Sequence, residues 1–260
     1  MLEILVIAGL GLILMAFGYC FFRIARKIDG LSRQLTKHKN ETDRKDLDYY
    51  KQVESLFSIF YTLRPHLPFP DSRKWAASPD FLKKIIEIII EVRPQNIVEV
   101  SSGVSTLVAA YSLKKIGKGK ILSLEHDPIH VSANKRLLST HGLQDVAEIV
   151  YAPLKKISIG EGVWLWYDLD CLDFEGDIDL LVIDGPPGNI QKMVRYPALP
   201  LLFGRLSEKG VILMDDGNRE DEQEIVKLWK KEFGQLKYEY IATEKGAYLI
   251  RQESDSSIQP

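Results

Sequence analysis

The chain has 260 residues, 45% apolar, 27% charged and 10% aromatic, which is material for a sizeable core and argues against global disorder. Its formal net charge is −2, so the overall balance does not point to nucleic acid. Two cysteines, Cys20 and Cys171, and no zinc-like Cys/His spacing argue against a disulfide scaffold or a structural zinc module.

The N-terminus departs from these averages. From Ile4 to Phe22 there are 19 consecutive uncharged residues, closed by Arg23, Arg26 and Lys27. As a helix rising ~1.5 Å per residue, that run matches the hydrocarbon thickness of a bilayer. A secretory signal would carry its positive charge before the run and a small-x-small cleavage site after it. Here Glu3 precedes the run, and Tyr19 before Cys20 is too large for a lipoprotein-type cleavage site. Residues 1–23 are therefore expected to be a single-pass transmembrane anchor. The positive-inside rule puts everything after it in the cytoplasm.

Residues 24–70 read as a helical stalk. Ile24, Ile28, Leu31 and Leu35 recur at spacings of four, three and four, a short a/d stripe that could pair two copies as a homodimer. Lys37 to Asp48 is dense in charge of both signs, as a solvated helix face would be. Pro65, Pro68 and Pro70 break the helix, and the domain boundary is expected there.

From 71 to 252 strands and helices alternate. Pro79 to Val92 carries a helical apolar stripe, and Asn96 to Val100 is a short β-branched strand. Thr106 to Leu113 follows as a helix, Lys120 to Glu125 as a strand, Pro128 to His141 as a helix and Ala147 to Tyr151 as a strand. Val163 to Tyr167 reads as a short extra strand, and Ile178 to Asp184 and Val211 to Asp215 as buried ones. Arg195 to Leu206 and Glu220 to Phe233 are expected helices. Lys237 to Thr243 and Ala247 to Arg251 flank Glu-Lys-Gly as a closing hairpin, and residues 253–260 form a polar, disordered tail. This alternation means an α/β fold with a Rossmann-like, doubly wound, mostly parallel sheet and a C-terminal antiparallel hairpin. Ligands of such sheets bind beyond the carboxyl ends of the strands.

The loops at those ends hold the chemistry. After Val100 comes Ser101-Ser102-Gly103-Val104-Ser105, where a helix start offers unpaired N–H groups to an anion, or simply connects strand to helix. It has one glycine where a dinucleotide fingerprint has three, which disfavours a nucleotide-dependent oxidoreductase. Glu125, beside His126, ends the next strand and can accept hydrogen bonds from both hydroxyls of a ribose, while Asp127 caps the helix beginning at Pro128. Asp184-Gly185-Pro186-Pro187-Gly188 makes a stiff turn. Asp215, Asp216 and Asn218 follow the next strand; with Asp184 they are hard oxygen ligands suited to Mg²⁺, or solvated capping groups.

In this order and spacing, VEVSSGVST, SLEHDP, LLVIDGPPG and VILMDDG resemble the class I S-adenosylmethionine-dependent methyltransferases over about Trp75 to Arg251. The resemblance implies S-adenosylmethionine (SAM) as cofactor, held by Glu99, Ser101 and Gly103 at its methionine end and by Glu125 at its ribose, with Ser105 and His126 also among its cofactor-binding residues and Asp184 near the sulfonium. Ser101 and Ser105 replace the first and third glycines of the family's usual E/D-x-G-x-G-x-G. A branch resembling catechol O-methyltransferase binds Mg²⁺, which implies Asp184, Asp215 and Asp216 as ligands, although its Asp-Asn pair is Asp-Asp here. Asp184 and Asp216 are the expected catalytic residues, positioning or deprotonating a hydroxyl for in-line methyl transfer. Lys192 and Arg195 are candidates to contact an anionic acceptor. The implied reaction is O-methylation of a small-molecule, glycan or lipid-linked acceptor at the membrane, with an inactive tethered scaffold as the alternative.

Overall fold

Residues 1–70 and 77–252 are described by a computed structural model. They fall into two units, Met1–Lys51 and Gln52–Pro260. The expected domain start at residue 71 and the expected disordered tail, 253–260, lie outside the described residues.

The first unit is helical, formed by the first part of α1 (Leu2–Leu63). Leu10, Leu14, Phe17 and Phe21 expose their side chains, as do Ile24, Ile28, Leu31 and Leu35 further on. Among the described residues α1 is the one helix long and apolar enough to cross a membrane.

The second unit begins at Gln52, some way before the prolines that suggested a boundary. The reason is packing. Ile59 and Leu63 on the last turns of α1 are buried in the core of the α/β unit, and the Gln52 side chain both donates to and accepts from Asp80 at the start of α2 (Pro79–Val92). The helix still stops at Leu63, two residues before Pro65, whose ring disfavours helical geometry in the residue preceding it.

The central sheet has seven strands: β1 (Asn96–Val100), β2 (Lys120–Glu125), β3 (Ala147–Tyr151), β6 (Ile178–Ile183), β7 (Leu206–Asp215), β8 (Leu236–Ile241) and β9 (Ala247–Gln252). Their order is β3-β2-β1-β6-β7-β9-β8; the first five are parallel, and β9 runs antiparallel to both β7 and β8. Both faces are buried, so each central strand reads as an almost unbroken apolar run. Ile97, Ile121, Leu180 and Leu213 face α2 and α3 (Val104–Ile116), with α4 (Pro128–Thr140) beside them. Val98, Leu124, Leu181 and Met214 face the opposite layer, which contains Trp229 of α6 (Glu220–Glu232).

Two segments differ from the sequence reading. The extra strand after β3 is one arm of a separate two-stranded sheet, β4 (Leu154–Ile159) with β5 (Gly162–Tyr167). Lys155 and Lys156 hide β4 from hydropathy, but the two-residue turn Gly160-Glu161, with Gly160 at φ 56°, is a legible hairpin signal. Arg195 to Leu206 is not one helix. Only Ala198–Leu202, α5, is α-helical, followed by a 3₁₀ turn at Phe203–Arg205. Pro200 has no N–H for residue 196, and its ring would clash with that carbonyl in a longer helix. Arg195 is thereby free to turn inward.

Candidate functional site

A cleft of about 580 Å³ opens at the carboxyl ends of β1, β2 and β6, a size within the usual range of small-molecule sites. Ser101, Gly103 and Ser105 form one wall, Glu125 and His126 another, and Asp184 and Asp216 a third. The structure thus gathers seven of the sequence-nominated residues around one space.

On the β1–β2 side the carboxylates are held by hydroxyls and a backbone N–H, with the His126 Nδ1 3.2 Å from Glu125 Oε1. The bend after Val100 needs a sharp reversal, and Ser101 makes it at φ 108°, in the region that glycine favours, with its N–H donated to the Leu124 carbonyl. Ser102 donates to Glu125 Oε2 at 2.8 Å and accepts from Asn134 Nδ2 at 2.8 Å. Glu125 Oε1 accepts the Asp127 N–H at 3.0 Å, so the acid is fixed before any ligand arrives. Asp127 itself accepts from the Ile129 N–H as the α4 cap. His126 stands edge-on to Tyr167, ring centroids 5.9 Å apart.

Glu99 lies behind this wall and not on it. It is buried, and its Oε2 accepts from Thr106 at 2.5 Å and from Ser123 at 2.6 Å. Burial pushes its carboxyl up to about 7, while the hydroxyls of Ser105, Ser123 and Thr106 pull the other way. Thr106 also accepts the Gly103 N–H, so Glu99 acts on the cleft through the bend that it braces.

On the β6–β7 side the carboxylates meet guanidinium groups. Arg195, 2% exposed, donates from Nη2 to the Asp184 carbonyl at 2.9 Å and to Asp216 Oδ2 at 2.7 Å, and from Nη1 to the Asp215 carbonyl at 3.0 Å. Its Nη2 also lies 3.4 Å from Asp184 Oδ1, and its Nη1 3.6 Å from Glu222. Arg219 adds a contact of 3.0 Å to Asp216. Burial raises the Asp184 carboxyl to about 6, with Arg195 opposing and Asp216 assisting the rise. Burial, then the Asp184 and Asp216 charges, holds Asp215 well above the usual carboxylate range, and neither of its oxygens has a hydrogen-bond partner. Asp184, Asp215 and Asp216 bring oxygens within 4.8 Å of one another. Asn218 is turned aside, accepting from the Tyr240 hydroxyl at 2.7 Å.

Several residues of the site escape a reading by motif. Ser102 and Asn134 orient Glu125, and Arg195, which lines the cleft, also ties together the ends of β6 and β7. The signal for Arg195 lies in the acids themselves: Asp184, Asp215 and Asp216 at adjacent strand ends call for a compensating cation.

A family model described as a methyltransferase domain matches residues 98–217. No curated protein matches the chain. Solved structures share its fold at low identity, three of them as follows. A Bacillus cereus O-methyltransferase in complex with SAH has TM-score 0.55 at 14% identity, covering 80% of this chain and 97% of its own. TomG of Streptomyces achromogenes, an O-methyltransferase of tomaymycin synthesis in complex with SAM, has TM-score 0.53 at 13% identity, covering 80% and 96%. The SAH-bound methyltransferase PaMTH1 of Podospora anserina has TM-score 0.52 at 16% identity, covering 77% and 88%. With its strand order and reversed last strand, the α/β unit has the class I methyltransferase fold, and residues 98–217 match the methyltransferase-domain family model.

Proposed function

We propose that the chain is a membrane-anchored, SAM-dependent O-methyltransferase acting on a small-molecule, glycan or lipid-linked hydroxyl at the cytoplasmic face. The observation that carries the reading is the shared cleft: the serine bend, Glu125 and Asp184 border one space of suitable size. The residues fit the cofactor. A side chain built at Gly103 would meet nothing, so open room lies where the methionine end is expected. Glu125, already fixed by Ser102 and the Asp127 N–H, keeps lone pairs for the two ribose hydroxyls. The N–H groups that open α3 favour a carboxylate.

When bound, SAM supplies a methyl group already activated on a sulfonium. The chain has to align the acceptor and handle its proton. Asp184, on the cleft wall and ionised above about pH 6, accepts the hydrogen bond of the acceptor hydroxyl and takes its proton. Asp216, pinned by two arginines, shapes the field around that step but has less freedom to move a proton. The solvent-exposed apolar stretch of α1, closed by Arg23, Arg26 and Lys27, supports the anchor and its orientation.

Titration calorimetry on the full chain in detergent tests the reading. SAM binds and NAD⁺ does not, and each variant weakens SAM by at least about tenfold: Glu125→Ala by loss of one or two charge-assisted hydrogen bonds, Gly103→Leu by filling the room left open for the methionine end. Unchanged SAM affinity in both variants overturns it. A C-terminal reporter is expected to read cytoplasmic; a lumenal or periplasmic signal overturns the topology.

A further inference from the structure

The acid-rich wall of the cleft already contains a cation, and it is part of the chain. Asp184, Asp215 and Asp216 each bring one carboxylate oxygen within 4.8 Å of the others, the grouping a divalent ion would need. Mg²⁺ demands near-octahedral oxygen ligands at about 2.1 Å and tolerates little distortion. Here Asp216 Oδ2 receives Arg195 at 2.7 Å and Arg219 at 3.0 Å, and Asp184 Oδ1 faces Arg195 at 3.4 Å. An ion shared by these oxygens would sit within a few ångströms of the Arg195 guanidinium. That group cannot swing into solvent: it is 2% exposed and anchored by the carbonyls of Asp184 and Asp215. Two like charges at such a distance, away from water, repel by several kcal/mol. Glu222, 3.6 Å from Nη1, adds a third acid at the Arg195 guanidinium.

We infer that Arg195 occupies the place of a divalent metal: Asp184, Asp215 and Asp216 form no metal site in this chain, and Arg195 is the fixed cation that positions Asp184 on the cleft wall. The inference deepens the methyl-transfer reading, and rests on it for the statement that Asp184 faces the acceptor. Its consequence is that cofactor binding and catalysis proceed without Mg²⁺.

The test is Mn²⁺ binding, read by electron paramagnetic resonance on the full chain in detergent after chelation, with SAM affinity measured separately. The wild type takes up no Mn²⁺ that Asp216→Asn removes, and its SAM affinity is the same in chelator as in Mg²⁺. Arg195→Ala gains one Mn²⁺ site, at least about tenfold tighter than any in the wild type. Adding Asp216→Asn abolishes that site, and Arg195→Lys, which keeps a cation there, does not form it. A wild-type Mn²⁺ site lost in Asp216→Asn overturns the inference. So does a folded Arg195→Ala that gains no site. If Arg195→Ala fails to fold, the wild-type and Arg195→Lys titrations decide. Failure of SAM to bind would remove the methyl-transfer reading while leaving the Mn²⁺ result to judge Arg195.

Discussion

On the β1–β2 side of the cleft, Glu99 and Glu125 are held by hydroxyls and a backbone N–H; on the β6–β7 side, Asp184, Asp216 and Glu222 are held by two arginines. The difference follows from what each side would have to do. A wall that meets the polar hydroxyls of a cofactor needs an acid whose geometry is fixed but whose lone pairs remain open, and neutral donors provide that. A wall that crowds three acids at adjacent strand ends, with Glu222 of α6 beside them, needs compensating charge, or the acids would repel one another and lose their hydration without return.

Removing that compensation is the largest expected disruption. Arg195→Met leaves the buried Asp216 and the partly buried Asp184 without their main partner, and should cost roughly 3–5 kcal/mol of stability, as breaking a buried pair does. Denaturant unfolding of the full chain measures it. Combining Arg195→Met with Asp216→Asn should recover part of the loss, since one of the stranded charges is gone. A loss below about 1 kcal/mol for the single variant would mean that the cluster is hydrated, and the contrast between the two walls would fail.

The two walls were unequally legible in the sequence. Both-face burial makes the central strands apolar runs, and the ends of those runs point to the loops; Ser101, Glu125 and Asp184 were found that way because each directly follows or ends a strand. Asp127 as the α4 cap followed from Pro128 alone. Arg195 could be named but not placed: it lies eleven positions after Asp184, and what it touches is decided by contacts between β6, β7 and α6. Its expected helix was lost to Pro200, a local rule within reach of the sequence. The continuation of the compact unit back to Gln52 could not be read, because Ile59 and Leu63 look like any apolar stalk residues until α2 covers them.

The β1 acid offers a second way to sharpen the contrast. Glu99 has no cation beside it, so its proton responds to pH without a built-in counter-charge. Its folded pKa, about 7, lies above the ordinary 4.5. Its contribution to stability is therefore fully present below about pH 4.5 and is lost as pH rises through about 7. Glu99→Gln, which keeps an acceptor for Thr106 and Ser123, should match the wild type near pH 4 and exceed it near pH 8 by up to about 3 kcal/mol. Melting temperatures of both proteins across that range check the sign. A constant offset would show that the wild-type carboxyl titrates normally, and that hydroxyls alone can carry a buried charge.

The smallest effect is expected where the two walls meet. Tyr167, at the end of β5, is fully buried, and its hydroxyl has no hydrogen-bond partner. A side chain built at Gly185, which follows Asp184, would come within 2.7 Å of that hydroxyl, while the His126 ring of the opposite wall lies edge-on to the Tyr167 ring. Burial, then the Glu125 charge, raises the Tyr167 pKa well above its ordinary value, so the group is neutral and its only polar atom is unsatisfied. Tyr167→Phe removes that atom and keeps the ring between the walls. Stability should stay the same or rise by up to about 1 kcal/mol, because an unsatisfied hydroxyl costs free energy in the folded state that the phenyl ring does not. SAM affinity should change by less than about twofold. A clear loss of SAM affinity with stability unchanged would assign the hydroxyl to the ligand, and the seam would then belong to the cofactor wall.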